Sequence, residues 1–202
     1  MVRTIAAAAL IALAGSAGAQ AITSVVGGSA FDIYHSLSTG DAIGYRFTVN
    51  SNITVTNVGM LNSAATDGTI NSSHAWGIWD STQTLLSSGV INPGNGFQQG
   101  DFFYDNNASG ANLAPGETYT IAVLYASGDL DSYISSPTSV GTAPEVNLLN
   151  GVFPTGGDLG LVFPAQDSAN LGRFGPNFNF VPAPASALLL GLGGIAASRR
   201  RR

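Results

Sequence analysis

Few side chains in this sequence are equipped for covalent or acid–base chemistry. The 202 residues include no Cys, which excludes a thiolate nucleophile, a thiolate zinc site and a disulfide framework. The two histidines, His35 and His74, lie in no zinc-protease motif and beside no Gly-x-Ser-x-Gly nucleophile elbow. His74 shares period-two spacing with Trp76, Ile78 and Asp80, so a strand here puts all four on one side. A hydrogen-bonded structural histidine is the expectation. A glycosidase needs a pair of carboxyl groups facing one bond, but the only glutamates, Glu117 and Glu145, fall in or beside turn-like Pro-Gly and Ala-Pro segments. No Gly-rich stretch follows a strand and opens a helix, so phosphate-cradling motifs are missing as well. The residue types point away from an enzyme, and no catalytic residue, metal site or cofactor is expected.

Binding chemistry has a little more to work with. Asp67-Gly68 and Asp129-Leu130-Asp131 could offer oxygens to calcium. Neither completes an Asp-x-Asp-x-Asp-Gly loop, and solvated turn residues are the simpler expectation. Trp76 and Trp79 are three apart, so an unbulged strand sends them to opposite faces. Trp76, with Ile78 beside it, belongs to the core. Trp79 shares its face with Ala75 and Gly77, whose small side chains leave the indole uncovered unless another element fills the space. Packing is its expected role, and stacking on a sugar is the alternative that makes Trp79 the candidate glycan contact. Asn52, Asn71 and Asn107 each begin an Asn-x-Ser/Thr sequon, used only where glycosylation machinery exists.

The elements that would position these residues read as β throughout. Hydrophobic residues make up 45% of the chain and charged residues 9%, enough apolar content for one core. Between the termini lies a stretch of about 160 residues, the size of one domain. It holds all the aromatics and all twelve acids, but of the cations only Arg46 and Arg173. Nucleic acid needs a cationic surface, so DNA and RNA are excluded as partners. Short alternating runs separated by Gly, Asn, Asp, Ser and Pro predict strands near 42–49, 53–61, 74–80, 85–91, 102–104, 118–125, 146–149, 159–163 and 174–180. A shift of the apolar positions from Ile53/Val55 to Val58/Met60 predicts a bulge near Asn57-Val58. Ala114-Pro115-Gly116-Glu117 has the residues of a type II turn. About nine strands in one domain predict an all-β fold, a single two-sheet β-sandwich or jelly roll over residues 22–180.

The ends read as addresses. Residues 1–21 have Arg3 as a positive start, an apolar run from Ile5 to Ala14, and two small-x-small sites, Ala17-Gly18-Ala19 and Ala19-Gln20-Ala21. That is the pattern of a secretory signal peptide, with the mature chain beginning at Gln20 or Ile22 and signal peptidase as a partner. Residues 181–202 comprise Val181-Pro182-Ala183-Pro184, an uncharged run from Ala185 to Ser198, and Arg199, Arg200, Arg201 and Arg202. The run spans about 21 Å as a helix, short of the roughly 30 Å hydrocarbon layer, while the four arginines would stay cytoplasmic as a stop to export.

This tail resembles the PEP-CTERM sorting signal of bacteria, a Pro-x-Pro motif followed by a Gly/Leu-rich helix and an Arg cluster. Ala183 stands where that family usually has Glu. The resemblance implies recognition by an exosortase-type transpeptidase near Pro182-Ala183-Pro184, transient membrane attachment, and delivery to the cell envelope or extracellular matrix. The central domain is similar to DUF4082-like domains through Gly44-Tyr45-Arg46-Phe47-Thr48-Val49, Ser73-His74-Ala75-Trp76-Gly77-Ile78-Trp79-Asp80 with Leu85-Leu86, Leu113-Ala114-Pro115-Gly116-Glu117-Thr118-Tyr119-Thr120-Ile121, and Gly175-Pro176-Asn177-Phe178-Asn179-Phe180. That likeness implies a β-sandwich without assigned chemistry. The sequence therefore points to an exported, non-enzymatic envelope or matrix protein. A carbohydrate-binding module, with extracellular polysaccharide as partner, is the alternative, and a secreted glycan hydrolase is third.

Overall fold

The computed structural model of the chain describes residues 18–32, 40–63, 68–106, 110–126, 130–156, 159–169 and 171–182. The fold is all-β, with no helix among the described residues. Its strands in chain order are β1 (Ala19–Gln20), β2 (Ile22–Val26), β3 (Ser29–Asp32), β4 (Asp41–Val49), β5 (Ile53–Leu61), β6 (His74–Trp79), β7 (Leu85–Ile91), β8 (Gly96–Gln99) and β9 (Phe102–Asp105). They continue with β10 (Asn112–Leu113), β11 (Thr118–Tyr125), β12 (Ser132–Ser135), β13 (Ser139–Thr142), β14 (Val146–Phe153), β15 (Gln166–Asp167), β16 (Arg173–Phe174) and β17 (Pro176–Pro182).

Two six-stranded sheets carry the core. One runs β1-β17-β5-β9-β8 with β10 also on β5, and the other runs β15-β14-β4-β11-β6-β7. Alternation on each central strand sends one row inward. Ile43, Tyr45, Phe47 and Val49 of β4 meet Val55, Val58 and Met60 of β5, together with Phe178 and Phe180 of β17. Phe47 and Phe178 pack ring to ring across the sheets at 5.0 Å, an arrangement consistent with a β-sandwich. Smaller ladders, β16-β12-β3 and β13-β2, close the sides.

Several local expectations correspond to what the fold contains. On β5 the register against β17 slips between Asn179 and Phe180, so Thr56 is the extra residue and the bulge lies one position from Asn57. Gly116 has φ +91°, the left-handed value that a type II turn requires at that position. The Asn50-Ser51-Asn52 link carries the chain from one sheet to the other instead of joining paired strands, since β4 pairs β11 and β14.

Other expectations need correcting. Residues 159–163 are not a strand. Within them only Gly160 touches a ladder, in a single parallel bridge to Asp41, at the end of β4 beyond the last β14 pair at Gly44. The strand expected over 146–149 runs on to Phe153 by pairing with β4 past a register shift. At the end of the stretch read as leader, Ala19 and Gln20 form β1, with Ala19 paired to Phe180 and Gln20 to Asn179. The rest of the leader (1–17), His35, Asp67, Asp129, Asn107 and the tail from Ala183 onward lie outside the described residues.

Candidate functional site

The outer face of the β14-β4-β11-β6 sheet carries a chemically varied surface groove. Alternation turns Ala42, Gly44, Arg46 and Thr48 of β4 outward, beside Thr118, Thr120 and Ala122 of β11 and Trp79 of β6. One half of this face is covered. Ala42 and Ala122 are fully buried, and with Trp79 they form a small apolar cluster under Leu161 and Phe163. Trp79 is only 4% exposed. Its indole lies against Gly77, where a Cβ would collide with the ring, and meets Phe163 edge-on at 6.1 Å. The expected division of the tryptophans holds, with Trp76 inward at 1% exposure. The indole itself occupies the space at Gly77, and Leu161 and Phe163 from a distant part of the chain pack on it, so Trp79 presents no open ring face for a sugar.

The covering segment is stitched down at both ends. The Gly160 amide donates to the Gly40 carbonyl at 3.0 Å, and β15 pairs with Val152 and Phe153 of β14. Arg46 ties it from the sheet below: its guanidinium forms an ion pair with Asp167, donates to the Ala165 carbonyl at 3.4 Å and stands 5.8 Å from the Phe163 ring centre.

Beside this cover lies an open groove of ≈ 310 Å³, lined by Arg46, Asp80, Ser81, Gln83, Thr118, Thr120, Phe163 and Ala165. The β6–β7 turn forms its rim. Asp80 accepts hydrogen bonds from the Thr82 hydroxyl (2.7 Å), the Thr82 amide (2.9 Å) and the Thr84 amide (2.9 Å). These bonds, the Thr82 hydroxyl foremost, hold the Asp80 carboxyl below its usual range. Glu117, expected in a turn and found there, accepts from the Ser81 hydroxyl at 3.0 Å. A glycosidase acid needs a carboxyl held above its ordinary value, and Asp80 is held the other way. What the groove offers is hydroxyls, an amide, a neutralised guanidinium and one aromatic edge.

The histidine expected to be structural has a distant carboxylate partner. His74 is buried, with Nε2 2.7 Å from Asp131 Oδ2 and Nδ1 2.9 Å from the Leu124 carbonyl oxygen. Asp131 also accepts from the Asn71 amide (2.8 and 3.0 Å), the Asn71 side chain (2.9 Å) and the Ser72 amide (3.0 Å). Burial pushes this carboxyl up, but the His74, Asn71 and Ser72 hydrogen bonds outweigh it and hold the group below its ordinary value. With both ring nitrogens facing acceptors, the geometry is that of an imidazolium–carboxylate pair. Neither nitrogen is placed to take a proton from a bound molecule. Asp131, one of the calcium candidates, points its oxygens at N–H donors. No group of three or more potential metal ligands occurs among the described residues.

Of the four residues expected as a sorting motif, Val181 and Pro182 are described. They end β17, opposite Thr54 and Ile53 of β5, with Val181 half-buried and Pro182 exposed. These two residues thus lie at the end of a sheet strand. The residues sequence reasoning missed are Asp131 as partner of His74, and Arg46 with Asp167 as clasp of the cover. A lone cation on a strand of apolar alternation was the available signal for Arg46. No family model, curated protein or solved structure matches this chain.

Proposed function

We propose that the chain is an exported, non-enzymatic protein of the cell envelope or extracellular matrix, delivered by its C-terminal tail. Signal peptidase would remove the leader, and an exosortase-type transpeptidase would act near Val181-Pro182-Ala183-Pro184 while Arg199–Arg202 hold the tail on the cytoplasmic side. The single observation that carries this is the order of three parts in the last 22 residues: Pro-x-Pro, an uncharged apolar run, four arginines. The position of Pro182, exposed at the end of β17, supports it. So does the short apolar run, too short for comfortable permanent residence. The architecture we assign is a two-sheet, jelly-roll-like sandwich flanked by a signal helix and a short apolar helix.

Three variants test the tail in a host with the sorting enzyme. Deleting residues 185–202 should release the domain to the periplasm or medium. Replacing Arg199–Arg202 by Ser should weaken retention. Replacing Pro182 and Pro184 by Ala should leave uncut precursor in the membrane fraction. A mature extracellular protein that keeps its Arg-bearing tail would make this a plain anchor and end the sorting proposal.

A carbohydrate-binding role is the second reading. The groove beside Phe163 favours it, because Arg46, Gln83, Thr118 and Thr120 supply the polar groups that sugar hydroxyls need next to an aromatic edge. Trp79 would join such a site only if the 161–163 segment lifted. Retention on insoluble polysaccharides, lost on Thr118→Ala/Thr120→Ala substitution, would support it; no retention on any glycan would remove it.

A further inference from the structure

The leader carries two small-x-small sites two residues apart, and local sequence does not choose between them. The folded domain accommodates only one of the two products without loss of a buried residue. We propose that the leader is cut by hydrolysis of the Ala19–Gln20 peptide bond, leaving a carboxylate on Ala19 and the new amine on Gln20. This rests on the export reading given above.

The alternative cut, between Ala21 and Ile22, would remove parts of the fold and create a charge in the core. Gln20 pairs with Asn179, and its side-chain amide donates to the Gln99 carbonyl (2.8 Å) and the Tyr104 hydroxyl (3.0 Å). It thereby joins β1 to the end of β8 and to β9. Ala21 is completely buried. Its amide donates to the Phe178 carbonyl at 2.9 Å, and its carbonyl accepts from the Ala143 amide at 3.0 Å, so this single residue bridges β17 and the turn before β14.

Ile22 is the decisive residue. It is fully buried, and Asn177, itself fully buried, clamps its backbone from both sides. The Ile22 amide donates to Asn177 Oδ1 at 2.9 Å, and Asn177 Nδ2 donates to the Ile22 carbonyl at 2.8 Å. A chain beginning at Ile22 would place an ammonium at that amide, in an apolar surrounding whose available acceptor, Asn177 Oδ1, is already shared with the Phe178 amide. An unpaired buried charge is among the most costly groups a fold can hold. A chain beginning at Gln20 puts its ammonium on a half-buried residue at the sheet rim, where water reaches it. It keeps the Gln20, Ala21 and Ile22 contacts and gives up only the terminal Ala19–Phe180 pair.

The test is mass spectrometry of the amino terminus on the full-length gene product exported by a bacterial host. Gln20 should be the first residue of the great majority of the exported molecules. A pyroglutamyl residue 20 counts as Gln20, since cyclisation only expels ammonia from its side-chain amide. A majority beginning at Ile22 overturns the cut assignment while leaving export intact. Translocated protein that still begins at Met1 overturns the export reading itself. A second arm uses Ala17→Leu, which spoils the first site and spares the second. Its product should either remain uncut or begin at Ile22 with a thermal midpoint lower by about 5 °C or more. An Ile22 product with an unchanged midpoint would sink the structural argument.

Discussion

Trp76 and Trp79 stand three residues apart on one strand, are almost equally buried, and are held in different ways. Trp76 faces the main core, where it lies against Gly89 and is enclosed by side chains from both six-stranded sheets. Trp79 faces outward and is covered by Leu161 and Phe163, on a segment that crosses the sheet without joining it along its length. Equal exposure therefore conceals unequal support. The inner indole can be uncovered only by separating two sheets that are bonded along their length. The outer one needs only the release of one extended segment held by a bridge at Gly160, a short ladder at Gln166–Asp167 and the Arg46 clasp. Local opening of this kind draws on far fewer contacts than global unfolding.

The largest effect should come from the inner face. Ile78, fully buried beside Trp76, becomes an unpaired buried charge in Ile78→Asp, which we expect to cost about 4 kcal/mol or more and abolish the cooperative transition followed by circular dichroism. A folded Ile78→Asp protein would mean that the two faces of β6 have been exchanged.

Next in size is the ion pair at the start of the same strand. Asp131→Ala leaves buried His74 and the Asn71 and Ser72 amides without their acceptor, at about 3–5 kcal/mol. Since the Asp131 carboxyl is held below its ordinary value, its contribution is present above the unfolded value of about 3.9 and is lost as pH falls through the lower folded value. Denaturant midpoints between pH 6 and pH 2 should show this acid loss in the native chain and not in Asp131→Ala. Parallel curves would remove the pair from the acid response.

The outer cover should yield less. Phe163 is partly buried, so Phe163→Ala should cost about 1–2 kcal/mol, below the range for a fully buried ring. Its clearer mark is optical: acrylamide should quench Trp79 several-fold more readily in Phe163→Ala, read in a Trp76→Phe background, while Trp76 read in a Trp79→Phe background stays shielded. Equal quenching in both backgrounds would mean that the supports are alike. Smallest of all is Asp167→Asn. Asp167 is 59% exposed in its ion pair with Arg46, and loss of such a surface pair should cost under about 1 kcal/mol. A loss comparable to that of Phe163→Ala would make the clasp, rather than apolar burial, the cover's main support.

Much of the central sheet was legible beforehand because alternation is strong where one strand face meets a core. The ends of β5, β7 and β11 agree with the apolar pattern, and the Pro115-Gly116 turn follows from residue types that restrict φ. The flanking strands were not legible. Ser29–Asp32, Ser132–Ser135 and Ser139–Thr142 are rich in small polar residues and become strands because each finds another to pair with. The run at 159–163 illustrates the reverse case: Leu161 and Phe163 both pack on the Trp79 cluster, yet the backbone makes only the Gly160 bridge and does not extend it into a ladder.

The sequence by itself determined the all-β character, the inward rows of β4, β5, β6 and β11, and the three-part order of the tail. These are properties of residue type and spacing along a few consecutive positions. The tertiary structure decided the partners. His74 met Asp131 at a separation of 57 residues instead of Asp80 nearby, Trp79 met Phe163, and Gln20 through Ile22 met Asn177 and Asn179 at the far end of the chain. Such meetings depend on which strands lie side by side after folding. That is set by the joint packing of the sheets, and no short window of sequence contains it.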